Sequence, residues 1–204
     1  MATSKPSASK RRMRGPERRA QLIAVARKVF GRAGFHSVSM DEVAKEAGVT
    51  KPILYDHFTS KEDLYVALLG ADAASLEERV RGALTGPTGN RERIRQSFQA
   101  YFDFVDEHAG GFRLFVQETT GGQELFRGKV NEVRDRIMAE VSQLIVRESR
   151  GRIDQRDADT VALALVGMVE TAAQRDPGGP KEDRQRAVDV LVRLAWRGIT
   201  NLTP

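Results

Sequence analysis

Side chains able to perform metal or nucleophilic chemistry are few and dispersed in this 204-residue chain. Its histidines are His36, His57 and His108, it has no cysteine, and no metal-spaced cluster, phosphate-cradling glycine loop or nucleophile motif joins them. An enzyme is therefore not expected, nor a bound metal or cofactor. What the sequence concentrates is positive charge. Residues 1–61 carry 13 Lys and Arg against 5 Asp and Glu, whereas residues 62–204 carry 20 against 23. A basic segment joined to a mildly acidic remainder suits a nucleic-acid reader, because neutralising phosphates and releasing their counterions supplies the sequence-independent part of binding. A basic surface that only keeps the chain soluble fits the same counts.

The elements that must carry this charge read as helices. Residues 1–15 are rich in Ser, Lys, Arg, Pro and Gly and too poor in apolar side chains to offset the entropy of ordering, so a mobile basic arm is expected there. Such an arm can follow a DNA groove; equally, Met13 can serve as an alternative start that makes it dispensable. From Pro16, Leu22, Ile23, Ala26, Val29 and Phe30 recur at helical spacing, and Gly34 is placed to end the helix. A second helix starts at Ser39, with Glu42 completing a capping box and Val38 and Val43 forming a hydrophobic staple, and runs to about Ala47. After the Gly48-Val49-Thr50 turn, Thr50 caps a third helix, expected over Lys51 to Phe58, with Pro52 in its first turn. Ser60 and Asp63 repeat the cap before Leu64, Leu68 and Leu69.

Two short capped helices packed on a longer one make the tri-helical unit that lays its last helix in the major groove. In that helix Leu54 and Phe58, four residues apart, face the core, leaving Lys51, Pro52, Ile53, Tyr55, Asp56 and His57 toward solvent or DNA. Helical trios of this size also occur in proteins that never meet DNA.

The run FGRAGFHSVSMDEVAKEAGVTKPILYDHFTSKEDLY goes further. With its F-x-x-x-G helix ending, Ser-led second helix, A-G-V turn, L-Y-x-H-F block and S-K-E-x-L start, it resembles the DNA-binding segment of the TetR family, over roughly Arg18 to Leu69. The resemblance implies that Thr50, Tyr55, His57 and Lys61 contact phosphates, that Lys51, Pro52 and Ile53 face base edges, and that Ser39 belongs to the same DNA-binding set. Hydroxyls and helix N-termini can donate to phosphate oxygens, Lys51 can reach guanine O6 or N7, and Pro52 and Ile53 can touch a thymine methyl. Tyr55 as a helix staple and His57 as an ordinary surface histidine are the competing readings. Asp56 receives no role, since a carboxylate there repels phosphate unless it accepts from a cytosine amine or points aside.

Beyond the fourth helix start, glycine and proline punctuation at Gly86-Pro87, Gly110-Gly111, Gly121-Gly122, Gly151 and Pro177-Gly178-Gly179-Pro180 separates further helices. Ile94, Phe98, Tyr101, Phe102 and Val105 form one stripe; Phe126, Val130, Val133, Ile137, Val141 and Leu144 form another; two last helices are expected near Gln155 to Gln174 and Lys181 to Leu202. The fold class is thus all-α; after the arm (1–15), the resemblance implies a helix-turn-helix DNA-binding domain (16–60) and a larger helical ligand-binding and dimerisation domain (61–204). The longest uncharged apolar run, Thr160 to Val169, is about half a bilayer crossing, so no membrane span and a cytoplasmic location are expected.

For this larger domain the resemblance implies an unidentified small-molecule effector and a homodimer on a palindromic double-stranded operator, the dimer using the last two helices. Candidate ligand-binding residues are Phe98, Tyr101, Phe102, Phe115, Glu118 and Glu170. Aromatic side chains fill ordinary cores as well as cavities. Glu170 closes an uncharged run, as a buried acid aimed at a ligand or as a residue emerging at the surface. The expected function is a repressor released by its ligand; a DNA-binding protein that recruits a protein partner is the alternative. An enclosed apolar cavity favours the first, a solid core with an exposed hydrophobic patch the second.

Overall fold

The computed structural model describes residues 14–107, 124–175 and 179–200. Among these residues there are eight α-helices and no strand, in accord with the all-α expectation. Helix α1 spans Gly15–Ala33, with Pro16 in its first turn and the Glu17 carboxylate accepting the Arg14 N–H at 3.2 Å. It ends where Gly34 takes φ +80°, a backbone angle costly for any residue with a Cβ, and the Gly34 N–H returns to the Phe30 carbonyl at 2.7 Å. Helix α2 spans Met40–Glu46 behind the expected capping box: the Glu42 N–H donates to Ser39 Oγ at 3.2 Å and the Ser39 N–H to Glu42 Oε2 at 2.7 Å.

Three local expectations are corrected. Helix α3 covers only Lys51–Tyr55, because Asp56 to Phe58 continue as a turn in which the His57 and Phe58 N–H groups share the Leu54 carbonyl. Thr50 holds the N-cap position, yet its hydroxyl makes no cap bond and stays free among the described residues. At the next start the Asp63 N–H donates to Ser60 Oγ at 3.0 Å, but the Asp63 carboxylate reaches one residue further back, accepting the Thr59 N–H at 2.8 Å.

Helix α4, Lys61–Thr85, is by its rise about 37 Å long and ties the molecule together. Its first turns bury Leu64, Tyr65 and Leu68 in the core that also holds Leu22, Phe30, Phe35, Leu54 and Phe58; its later turns pack on α5 (Asn90–Glu107) and α6 (Glu124–Glu148). Helices α7 (Gln155–Gln174) and α8 (Lys181–Thr200) complete the larger unit, α7 against α6 and α8 against α5. The breaks at Gly86-Pro87 and Gly151 fall between helices as expected, whereas Gly110-Gly111, Gly121-Gly122, Pro177-Gly178 and the end of the second C-terminal helix lie outside the described residues. No helix among the described residues is long and apolar enough to cross a membrane.

Candidate nucleic-acid interface and interior cavity

The three-helix head is held from inside by rings and presents its polar side chains outward. Phe30, Phe35 and Tyr65 form a triangle with centroid separations of 4.7–6.0 Å, Phe30 meeting Tyr65 edge-on at 78°. Tyr65 was invisible in the sequence pattern because it sits beside the Leu64, Leu68, Leu69 stripe. Leu54 and Phe58 are fully buried, and the Arg19 guanidinium covers the Phe58 ring 4.8 Å from its centroid. Anchored by those two residues, the short α3 exposes Lys51, Pro52, Ile53, Tyr55 and Asp56, with His57 half-buried.

The candidate contacts differ in how free they are. Thr50 and Tyr55 are exposed, and the Tyr55 ring is not used as a staple between the helices: 42 % of its surface is open. Ser39 is committed to its own helix, its hydroxyl donating to Glu42 Oε2 at 2.9 Å; its N–H and hydroxyl together hold the Glu42 carboxyl below its ordinary range. Lys51 Nζ lies 2.8 Å from Asp41 Oδ1 on α2, and that hydrogen bond holds the ammonium above its ordinary pKa. Lys61 donates to the carbonyls of Phe35 and Val38, each at 3.0 Å, and sits 4.5 Å over the Phe35 ring. It therefore fixes the α1–α2 connection, with one of its three N–H groups left over.

A second feature lies within the larger unit: a cavity of about 240 Å³ between α4, α5, α6 and α7, with Trp196 of α8 at its edge. Its wall is mostly aliphatic, from Leu76, Val80, Ile137, Val141, Leu165 and Val166 among others. Of the candidate ligand residues, Phe98, Tyr101 and Glu170 line it. Phe102 does not; one residue on from Tyr101 it is turned by about 100° around α5 and is packed in the core instead. Phe115 and Glu118 lie outside the described residues. Burial pushes the Glu170 carboxyl above its ordinary range, against the opposing pull of Arg134, whose Nε is 3.1 Å from Glu170 Oε2. Burial also pushes up the Tyr101 phenol. Arg134 was missed by sequence reasoning; the one signal was a cation beside Val133 in the apolar stripe of α6.

The head is tied to helix α4, which continues into the cavity wall, by a charge pair buried on its acidic side. Arg27 on α1 donates through Nε and Nη2 to Asp72 Oδ1 on α4, the first at 2.8 Å, and Asp72 is only 3 % exposed. Helix α4 is fixed to the other side by Arg81 and Arg136, which share Glu77, Arg81 also pairing with Glu140 of α6 at 2.6 Å. Movement of α4 against either neighbour must strain or break such pairs.

Residues 22–68 match the family model of bacterial regulatory proteins of the tetR family, and residues 90–198 match a tetracyclin repressor-like C-terminal domain. The chain is 35% identical over 187 residues to the HTH-type transcriptional activator FasR of Mycolicibacterium smegmatis, covering 91% of this chain and 84% of that protein. A TetR-like transcriptional regulator from Rhodococcus sp. RHA1 superposes with a TM-score of 0.73 at 32% identity, covering 93% of this chain and 99% of that one. FadR from Bacillus subtilis, solved in complex with stearoyl-CoA, shares the fold with a TM-score of 0.71 at 17% identity, over 86% of this chain and 96% of its own.

Proposed function

The chain belongs to the TetR family of DNA-binding transcriptional regulators, and from that premise we propose that a small, largely apolar molecule in the interior cavity sets its affinity for an operator. The carrying observation is the cavity itself: about 240 Å³ of space between four helices of the larger unit, with a mostly apolar lining. It supports a sensor over a recruiter of protein partners, and the stearoyl-CoA held by the Bacillus subtilis relative supports an apolar occupant. Phe98, Tyr101 and Glu170 are the residues that meet it.

In the head, Thr50, Tyr55, His57 and the spare N–H of Lys61 hold phosphates, while Lys51, Pro52 and Ile53 read base edges. Lys51 must leave Asp41 to do so. The protein acts as a homodimer on a palindromic double-stranded operator; support comes from Leu163 of α7 and Val190 and Leu194 of α8, which are half or more open to solvent in the single chain or close to it. Ligand binding favours the DNA-incompetent arrangement and releases the operator, which relieves repression. A second reading, activation, is favoured by the description of FasR as an activator; the same dimer activates when its site lies beside the promoter instead of across it.

The test takes DNA fragments recovered by the purified protein, whose sedimentation should give twice the chain mass. Tyr55→Ala is expected to weaken binding to every fragment alike, and Lys51→Ala to relax base preference by roughly tenfold at one position. Identical profiles for both variants and the parent would overturn the assignment of the head. Any small molecule that co-purifies is identified by native mass spectrometry and stripped; an operator affinity unchanged by its removal would overturn ligand control.

A further inference from the structure

The three-helix head exposes carboxylates although it must approach phosphates. In the first turn of α2, Asp41 and Glu42 stand side by side and are used differently. Glu42 completes the capping box, accepting the Ser39 N–H at 2.7 Å and the Ser39 hydroxyl at 2.9 Å. Asp41 takes no part in that cap. Its carboxylate has one partner among the described residues, the Lys51 ammonium of α3, 2.8 Å away. Both side chains are more than half open to solvent, 66 % for Asp41 and 56 % for Lys51. A pair so exposed is screened by water and salt and adds little to the stability of the head, so holding α2 to α3 does not account for it.

Lys51 is the first residue of α3, the helix that reads the major groove, and it leaves Asp41 when it reaches a guanine. What it leaves behind is a bare carboxylate at a groove about 12 Å wide, within about one screening length of the phosphates on its edge. Few base-edge groups can partner it there. Guanine O6 and N7 and thymine O4 are acceptors and repel a carboxylate. Adenine N6 donates, but the acceptor N7 is beside it. Cytosine N4 donates with no acceptor next to it in the groove.

Spacing favours the same partner. In a G·C base pair, cytosine N4 and guanine O6 are the two ends of one hydrogen bond, about 2.9 Å apart. Lys51 Nζ and Asp41 Oδ1 are separated by 2.8 Å. The donor-and-acceptor order of the side chains is the complement of the acceptor-and-donor order of that edge, at nearly the same pitch. Each charge can therefore exchange the other for a base with little movement.

We propose that Asp41 and Lys51 read one G·C base pair jointly, Lys51 donating to guanine O6 or N7 and Asp41 accepting the free N4–H of the cytosine paired with it. The inference rests on the head being the DNA reader with Lys51 at the bases; it adds a second base-reading residue, on a second helix, and names the base pair. Exclusion contributes as much as attraction. In A·T and C·G the order of donor and acceptor is reversed, so the ammonium meets an amine and the carboxylate meets an oxygen. T·A keeps the order, but it removes N7 from the lysine side and sets adenine N7 beside the carboxylate. The ranking follows: G·C first, T·A second, the two reversed pairs last.

The position is located as the base pair at which Lys51→Ala loses preference, using DNA fragments recovered by the purified full-length protein. Binding to that site is then measured with each of the four base pairs, and with G·C in which the cytosine carries an N4-methyl group in place of its groove-facing N4–H. The parent should show the ranking above, with about tenfold or more between first and last. N4-methylation should weaken the parent several-fold and leave Asp41→Ala unaffected. Asp41→Asn keeps the side-chain shape and the Ser39–Glu42 cap, which guards against a variant that merely folds poorly; its amide both donates and accepts, so it should bind the four base pairs more nearly alike. Asp56→Asn removes a neighbouring exposed carboxylate and leaves the Asp41–Lys51 pair alone, so it should keep the parent's sensitivity to N4-methylation. A parent indifferent to N4-methylation, an Asp41→Ala variant as sensitive as the parent, or loss of that sensitivity in Asp56→Asn overturns the proposal. The underlying reading fails differently: if Lys51→Ala relaxes no position at all, base reading by α3 falls and this inference with it, whereas Asp41→Ala ranking the base pairs as the parent does sinks the inference alone.

Discussion

Phe58 in the DNA-reading head and Phe98 in the larger unit are both buried phenylalanines on helices, yet they are surrounded differently. Phe58 is enclosed on all sides, with Arg19 over one face; Phe98 has the cavity on one side. The head is a small solid body whose function is on its outside, where α3 must be held rigidly enough to fit a groove. The larger unit keeps empty space in its interior and so forgoes contacts that would otherwise stabilise it. Rigidity and vacancy are separated along the chain, with α4 common to both.

That contrast can be broken most directly by truncating the two rings. Phe58→Ala is expected to cost about 3–5 kcal/mol of unfolding free energy, and Phe98→Ala no more than the lower end of that range, because part of its environment is already empty. Denaturant unfolding of both variants measures this; equal losses would mean that the cavity closes up in solution. Next comes the joint between the regions. Arg27→Ala leaves the Asp72 carboxylate buried without its counter-charge; fully buried pairs lose ~3–5 kcal/mol on such a change, and since Arg27 retains 27 % of its side-chain exposure a loss of about 2 kcal/mol is expected. A Tm identical to the parent's would show that water replaces the arginine freely.

The smallest effect concerns the cavity wall. Burial raises the Glu170 carboxyl above its ordinary value of 4.5 despite Arg134, so the folded state binds that proton more tightly than the unfolded chain. The stability from this group is therefore complete below pH 4.5 and falls as pH rises through the raised folded-state value. Glu170→Gln should flatten the fall in Tm just above pH 4.5. An unaltered Tm profile would place Glu170 in contact with bulk water, and the contrast between a dry wall and a wet exterior would fail at that point.

The parts of the head that the sequence made legible were those set by neighbours within a few residues. Ser39 with Glu42, Gly34 at a positive φ, and the Leu54–Phe58 spacing each express a rule of local geometry, and each is found in place. Where a partner comes from elsewhere in the chain, the pattern was silent. Tyr65 closing on Phe30 and Phe35, Lys61 turning back to the carbonyls of Phe35 and Val38, and Asp41 holding Lys51 are long-range choices among several the sequence allows. The cavity was harder still. Aromatic periodicity pointed to α5 and caught Phe98 and Tyr101, but could not separate them from Phe102, since a stripe on a helix says which side is buried and not whether the space it faces is filled.

The amino-acid sequence by itself determined the helical class, the capped starts at Ser39 and Ser60, the exposed set on α3 and the basic bias of the first 61 residues, because backbone capping, helical period and charge depend on local order. Only the tertiary structure decided that Arg27 meets Asp72, that Arg134 meets Glu170, and that Arg93 of α5 meets Glu148 of α6. Those depend on how helices far apart in the chain are packed, where the shape of an interior space is the sum of many contacts and no single residue encodes it.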